Sequence, residues 1–178
     1  MIRTVSKAIV VTLIGLIGVV ALFGLAGARI NTTASFPYGL YWVVHAPVKK
    51  GEMVMFCPGQ GDAFREARAR GYIGAGYCPG GYGFILKEIV GAQGDRVAIT
   101  SRGVFVDKRL LANSKPDDRD PAGRPLPRLR GRFTLKRGQV LVMSSYNPLS
   151  FDSRYFGPIN RSQIRNVVRP ILTWASYP

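Results

Sequence analysis

Ser35 and Lys87 are the two residues whose types could together perform nucleophilic catalysis in this sequence. The serine lies in the segment 31–42 (NTTASFPYGLYW), and the lysine lies fifty-two residues later in the segment 84–97 (FILKEIVGAQGDRV). A serine hydroxyl is a weak nucleophile until a neighbouring base takes its proton. A lysine amine serves as that base only when it is neutral near physiological pH, which requires a pKa about 2–3 units below the ordinary ~10.4. The pair therefore predicts a hydrolase with a serine nucleophile and a lysine general base.

The residues around Lys87 have the alternation of a β-strand. Ile85 and Ile89 fall on the same face as Lys87, whereas Glu88 falls on the opposite face. Apolar neighbours disfavour the ammonium form and lower the pKa of the lysine, and an adjacent carboxylate would raise it. A lysine at a strand edge that extends to solvent is the competing interpretation. Serines before turns such as Phe36-Pro37 are also common, so neither residue is convincing alone.

His45 is the only histidine, and a Ser-His-Asp hydrolase would have to use it. It lies at the end of an apparent strand, and its sequence neighbours include no carboxylate that could orient it. We therefore expect a surface or strand-end histidine, and the base must be another residue.

The N-terminal segment has the length and composition of a membrane anchor. Arg3 and Lys7 precede twenty-one uncharged residues, 8–28, which span about 30 Å as a helix. The positive-inside rule puts Arg3 and Lys7 in the cytoplasm and the rest of the chain across the membrane, in the periplasm. A cleaved signal peptide ending near 26–28 is the alternative, but the apolar run exceeds the usual 7–15 residues. We predict an anchor over 1–29 and an exported domain over 30–178.

The composition restricts the partners. Twenty-five basic against ten acidic residues give a formal net charge of +15, which favours an anionic partner such as acidic lipid, acidic substrate or nucleic acid. Nucleic acid is disfavoured because the charge follows an export segment and no binding motif is present.

Cys57 and Cys78 are expected to form a disulfide in an oxidising compartment, with two free thiols as the alternative. No metal site and no cofactor are expected.

The remaining pattern predicts a mainly β fold with one small helix. The apolar segments are short, rich in β-branched and aromatic residues, and separated by Gly and Pro. A short helix over 62–70 would lie in a flap, 57–83, closed by the disulfide. Residues 107–137 are rich in Pro and Arg and are expected to form a solvated loop or a small subdomain. The alternative is a patch that docks a partner or the membrane surface. The predicted strands are 40–46, 52–56, 84–90, 96–100, 104–106, 139–144 and 167–174.

Three sequence blocks together resemble the type I signal peptidase (S26) superfamily of Ser-Lys proteases. They are Ser-x-Pro-x-Gly-x-Tyr from Ser35, Lys-x-x-Val-Gly-x-x-Gly-Asp-x-Val from Lys87, and the block 150–157 (SFDSRYFG). The resemblance implies a signal-peptidase-like body, an antiparallel β-sheet or barrel, with Ser35 as the nucleophile and Lys87 as the general base. It further implies the supporting residues: Thr33 beside the oxyanion hole, Ser150 orienting the lysine, and Asp152 and Arg154 as a structural pair. Ser150, Asp152 and Arg154 would share a face if their block is extended.

Within that superfamily, the sequence most resembles the conjugative-transfer peptidases of the TraF type. General signal peptidases usually have Ser-Met-x-Pro, and Leu-Pro-Gly-Asp where this chain has 92–95 (AQGD). The subgroup implies that a precursor polypeptide, a conjugative pilin with small residues before the cleavage site, is the substrate. Hydrolysis and head-to-tail cyclisation are both open outcomes. A general signal peptidase and a non-catalytic component of an envelope assembly are the alternative functions.

The short distance from the anchor to Ser35 predicts a nucleophile close to the membrane. Ser35 lies six positions after Arg29, which is at most about 20 Å of extended chain. The aromatic residues of this region could form an interfacial belt or could belong to the core; they are Phe36, Tyr38, Tyr41 and Trp42.

Overall fold

A computed structural model describes residues 2–175; Met1 of the predicted anchor and residues 176–178 of the predicted exported domain lie outside that range. The chain begins with one long helix, α1 (Ile2–Ala26). Its segment Ile9–Ala26 has a mean hydropathy of 2.8, and none of it is buried against the rest of the protein. The helix is therefore long and apolar enough to cross a membrane.

The body contains two antiparallel sheets within the described range. The larger has seven strands in the order β1-β2-β12-β3-β5-β10-β11, and the smaller has four in the order β8-β7-β6-β9. The mainly β fold class predicted from the sequence is confirmed. The strands of the larger sheet are β1 (Ala28–Asn31), β2 (Tyr38–Val44), β3 (Met53–Phe56), β5 (Ile85–Gly91), β10 (Gln139–Met143), β11 (Ile159–Asn160) and β12 (Ile164–Ala175). The strands of the smaller sheet are β6 (Arg96–Thr100), β7 (Gly103–Val106), β8 (Arg109–Leu110) and β9 (Gly131–Thr134).

Strand β10 joins the two halves of the core because both of its faces are buried. Val140 and Val142 pack in the cluster beneath the larger sheet. Leu141 and Met143 pack against the smaller sheet. A strand buried on both faces reads as a continuous apolar run, and Gln139–Met143 has that composition. The turn that follows β10 is thereby held firmly.

The predicted disulfide between Cys57 and Cys78 is confirmed, and it closes the segment that we expected to form a flap, 57–83. Its short helix α2 (Asp62–Ala69) ends one residue before the predicted boundary, and the strand β4 (Ala75–Cys78) follows. Arg68 on α2 donates hydrogen bonds to the carbonyls of Gly74 and Gly81, at 2.8 and 2.6 Å. These bonds tie the glycine-rich end of the flap to its helix.

Strand β1 directly follows α1 and crosses the boundary predicted at 29/30. Gly27 makes this connection with a φ of +113°, and a Cβ there would lie 3.3 Å from Trp42 Nε1. Such a backbone conformation favours glycine. From there β1 pairs with β2 over its whole length, with Ala28 opposite Trp42 and Asn31 opposite Gly39.

Candidate active site

The loop that carries Ser35 connects β1 to β2 and is organised by Asn31. The Asn31 amide donates to the carbonyls of Thr33, Phe36 and Pro37 at 3.0–3.1 Å. Its carbonyl oxygen accepts from the Thr33 backbone N–H at 3.1 Å and from the Thr33 hydroxyl at 2.8 Å. Since Asn31 is buried, one side chain closes the loop around the half-buried Ser35.

Gly39 and Pro37 of the same motif each have a structural role. A Cβ at Gly39 would lie 2.2 Å from the Leu172 carbonyl oxygen of the neighbouring strand β12, which excludes any side chain without a backbone shift. The Pro37 carbonyl accepts a hydrogen bond from the buried Tyr41 hydroxyl at 2.8 Å. The motif therefore fixes where the loop leaves and rejoins the sheet.

Strand β5 brings Lys87 to Ser35. The Lys87 side chain is only 1% exposed, and its Nζ donates a hydrogen bond to Ser35 Oγ at 2.6 Å. Burial lowers the pKa of Lys87 to about 8; the charge of Asp152 opposes this effect, and that of Arg154 adds to it. When the amine is neutral, its lone pair can accept the Ser35 proton over the same short distance.

The predicted alternation of β5 explains this environment. Ile85 and Ile89, two residues on either side of Lys87, are buried in the cluster beneath the larger sheet. Glu88 points elsewhere and accepts a hydrogen bond from the Ser145 hydroxyl at 2.9 Å. The carboxylate nearest in sequence is therefore engaged away from the lysine, as the alternation predicts.

The block that contains Ser150, Asp152 and Arg154 is not extended, so the shared-face prediction based on an extended strand does not apply. Instead, Asp152 caps the short helix α3 (Ser153–Phe156), and its side chain accepts a hydrogen bond from the Arg154 N–H. Asp residues favour this position because the carboxylate satisfies a free backbone N–H. Ser150 Oγ still lies 3.2 Å from Ser35 Oγ.

Asp152 and Arg154 form a completely buried ion pair. Arg154 Nε donates to Asp152 Oδ1 at 2.8 Å and a second guanidinium nitrogen donates to Oδ2 at 2.9 Å. The remaining Arg154 nitrogen donates to the carbonyls of Lys115 and Pro148 at 3.1 and 2.7 Å. Bidentate geometry and backbone partners satisfy both charges, and the pair connects the segment near Lys115 to the base of the site.

Thr33 lies close to Ser35, but its hydroxyl donates a hydrogen bond to the Asn31 side chain. The Thr33 side chain is exposed, so this hydroxyl can rotate toward a bound substrate at the cost of the bond to Asn31. The structure therefore brings Ser35, Lys87, Ser150 and Thr33 to one place, with Asp152 and Arg154 behind them.

Two functional candidates were not predicted from the sequence, Ser144 and Asn147. Asn147 Nδ2 donates to the Ala34 carbonyl at 3.0 Å, and the Ser144 hydroxyl donates to the Ser35 carbonyl. Both side chains are buried. Asparagine and serine are ordinary turn residues, so the sequence offers no local signal for these contacts.

A cavity of about 390 Å³ opens beside Ser35 and Lys87. Part of the Pro- and Arg-rich segment 107–137 lines it, including Asp117 and Asp120. Asp120 is buried and bonds to the Tyr72 hydroxyl and to Arg124. This part of the segment is thus a wall of the site rather than a freely solvated loop.

A second cleft, of about 510 Å³, lies on the other side of the flap. Strand β1, at the free edge of the larger sheet, forms one wall through Arg29, Ile30 and Asn31. Phe84 and Leu86 lie along the opposite wall. A free strand edge presents unpaired N–H and C=O groups to an extended peptide. Thr33 lines both this cleft and the cavity beside Ser35, so the two openings adjoin at the loop that carries the serine.

The other expectations are partly confirmed. His45 is exposed just after β2 ends, as expected for a strand-end histidine. The four aromatic residues near Ser35 divide between the two interpretations, since Phe36 and Tyr41 are buried core, Tyr38 is exposed and Trp42 is half-buried.

Comparison with known proteins identifies the family. The family model described as "Signal peptidase, peptidase S26" matches residues 1–174. The "Plasmid transfer protein TraF" of Escherichia coli is 55% identical over 151 residues, covering 84% of this chain and 85% of the relative. The "Conjugal transfer protein TraF" of Agrobacterium fabrum is 35% identical over 176 residues, covering 95% and 98%. The chain belongs to the signal peptidase family, peptidase S26.

A solved structure, signal peptidase I from Enterococcus faecalis, is also similar. It matches 68% of this chain and 97% of its own, with a TM-score of 0.38 and 14% identity. A TM-score this low does not by itself establish a relationship, so the family membership rests on the sequence comparisons.

Proposed function

We propose that this chain is a membrane-anchored serine endopeptidase that uses Ser35 and Lys87 to process an exported precursor, a conjugative pilin. The observation that carries the proposal is the 2.6 Å contact between a buried lysine amine and an accessible serine hydroxyl. Membership of the signal peptidase family supports the reaction type. The relatives described as conjugal and plasmid transfer proteins support the substrate.

The reaction follows from the geometry of these side chains. Neutral Lys87 takes the Ser35 proton as the oxygen attacks the scissile carbonyl, and a tetrahedral oxyanion forms. The Ser35 N–H, with the Thr33 hydroxyl after rotation, stabilises that oxyanion. Collapse of the intermediate expels the amine, which takes the proton from Lys87 and leaves an acyl ester on Ser35. Water or a second amine then releases the acyl group, giving a linear or a cyclic product.

We further propose that α1 anchors the chain in the cytoplasmic membrane with the N-terminus inside and the domain from residue 30 onward in the periplasm. Lys7 and Arg3 at the start of the helix support this orientation, and a disulfide suits an oxidising compartment. Ile30, Leu40 and Leu172 lie side by side across three adjacent strands next to α1. Ile30 and Leu172 are 68% and 61% exposed, which suits contact with lipid.

The test is co-expression of the full chain with a conjugative pilin precursor, followed by mass spectrometry of the pilin. We expect the wild type to remove the precursor extension and Ser35→Ala and Lys87→Ala to leave it intact. Ser101→Ala, at an exposed serine, is the matched control and should process normally. A product lighter by one further water than the linear form would establish cyclisation.

A general secretory precursor in the same strain separates the specialised from the housekeeping function. Cleavage of the pilin alone supports the proposal. Equal cleavage of both would favour a general signal peptidase, and processing unaffected by Ser35→Ala would contradict an enzymatic role.

A further inference from the structure

The direction of the Ser35 N–H is fixed by one peptide plane. The carbonyl of Ala34 and the N–H of Ser35 belong to the same peptide unit, and cis peptides are absent from the described residues. In a trans peptide these two groups point in opposite directions. Whatever holds the Ala34 carbonyl therefore also aims the Ser35 N–H, for which no acceptor is found in residues 2–175.

Asn147 holds that carbonyl from a distant part of the sequence. Its Nδ2 donates to Ala34 O at 3.0 Å, and its Oδ1 accepts from the Leu149 N–H at 2.8 Å. The side chain is 5% exposed. Both ends of the amide are thus engaged, so its orientation is determined by two bonds.

Ser144 holds the next carbonyl along the loop. Its hydroxyl donates to Ser35 O and accepts from the Asn147 N–H at 3.0 Å. Ser144 is completely buried and directly follows β10, the strand packed on both faces. Ser144 and Asn147 are therefore linked to each other and to a strand that is buried on both faces.

We propose that Asn147 and Ser144 are positioning residues, which hold the carbonyls of Ala34 and Ser35 so that the Ser35 N–H faces the developing oxyanion. This inference rests on the proposed function. Because the contact acts on the oxyanion donor, its loss weakens binding of the transition state more than binding of the substrate. The expected signature is a fall in kcat at a nearly constant KM.

The variant Asn147→Asp removes one of the two hydrogen bonds of the Asn147 side chain and keeps the other. It keeps an oxygen that can accept from the Leu149 N–H and replaces the amide donor with an oxygen that repels Ala34 O. The matched control is Asn113→Asp, because the exposed Asn113 amide donates to the Ser145 carbonyl at 2.8 Å, away from the nucleophile. Ser144→Ala is paired with Ser145→Ala, since Ser145 is an exposed neighbour.

The kinetic readout is taken at the alkaline plateau of the pH–rate profile. There the new carboxylate of Asn147→Asp cannot act through the pKa of Lys87. Loss of one oxyanion donor costs about 10²–10³ in kcat, so misdirection of the donor should cost about 10–100-fold, with KM changed less than about threefold. Asn113→Asp and Ser145→Ala should match the wild type. An unchanged kcat, or a rise in KM alone, would overturn the proposal.

A spectroscopic readout needs no substrate. Only Ser35 and Ser176 follow an alanine in this sequence, so labelling alanine carbonyls with ¹³C and serine amides with ¹⁵N gives two cross-peaks in an HNCO spectrum. Asn147→Asp should shift the Ala34–Ser35 peak, because the carbonyl loses its donor, and leave the Ala175–Ser176 peak in place. Asn113→Asp should move neither.

The two readouts distinguish failure of the inference from failure of the proposed function. A wild type that processes the pilin beside an Asn147→Asp variant of equal kcat overturns only the positioning role. A wild type that processes nothing overturns the proposed function, and the Ala34–Ser35 peak then decides alone. A peak unmoved by Asn147→Asp contradicts the inference in either case.

Discussion

Arg154 donates to both carboxylate oxygens of Asp152, and neither side chain is exposed to solvent. The pair lies near Lys87 and influences it with opposite signs, since Asp152 raises the pKa of the lysine and Arg154 lowers it. The two charges thus act against each other, and burial has the largest influence on the pKa of Lys87.

Removal of Arg154 should be strongly destabilising. Arg154→Met leaves the Asp152 carboxylate buried and unpaired, and breaking a buried pair in this way costs about 3–5 kcal/mol. The thermal midpoint of the purified protein measures the effect. Arg128→Met is the control, because its ion pair with Asp118 is exposed and should contribute little. Equal midpoints for the two variants would contradict a stabilising role for the buried pair.

The pH dependence of processing should follow the protonation of Lys87. Since burial lowers its pKa to about 8, kcat/KM should rise with pH and reach half its maximum near pH 8, because only the neutral amine accepts the Ser35 proton. Initial rates of peptide cleavage across pH 6–10 provide the measurement. Asp152→Asn, if folded, should move the midpoint to lower pH, because the charge that raises the lysine pKa is gone. A flat profile would exclude Lys87 as the base.

Lys87→Met should abolish activity and stabilise the fold. The lysine pKa falls from 10.5 to about 8 on folding, a difference of 2.5 units or about 3 kcal/mol of disfavoured charge at neutral pH. The folded pKa lies below the unfolded one, so this cost is full below about pH 8 and is relieved as pH rises toward 10.5. We therefore expect a thermal midpoint about 5–10 °C higher at pH 7. The advantage of the variant should shrink by pH 10.

Lys49→Met provides the control for that comparison, because Lys49 is exposed. Its midpoint should follow the wild type at both pH values. A lower midpoint for Lys87→Met than for the wild type at pH 7 would show that the bond to Ser35 outweighs the cost of burial.

Removal of the disulfide should loosen the flap. Cys57 and Cys78 are twenty-one residues apart, and closing a loop of that length stabilises a fold by about 3 kcal/mol in the chain-entropy model. The double variant Cys57→Ala/Cys78→Ala should have a lower thermal midpoint and faster hydrogen exchange over 57–83 than over β12. Uniform exchange in the two regions would contradict a local role.

The sequence predicted the parts of the site that depend on local pattern. Alternation along β5 predicted the apolar surroundings of Lys87, and the apolar runs predicted most strands of the larger sheet. It did not reveal β9, because Gly131–Thr134 lies in a segment whose prolines and arginines indicated a loop. Asn31, Ser144 and Asn147 were also missed.

These omissions have a common physical cause. The contacts from Ser144 and Asn147 to the loop at Ser35 span more than one hundred residues, and their strength depends on burial that only the tertiary fold supplies. The extended conformation considered for the block 150–157 failed for a local reason, because Asp152 caps a helix there.

Strand β1 has one further consequence, for the selection of the bond to be cut. Its four residues are paired with β2, so they set a fixed spacing of about 13 Å between the end of α1 and the loop that holds Ser35. With α1 in a bilayer, β1 would hold Ser35 at a set distance from the end of the helix. Under the proposed function, this spacing limits which bonds of a membrane-bound precursor reach Ser35, in addition to the small side chains expected before the cleavage site, and lengthening β1 by two residues should move the accessible bond outward.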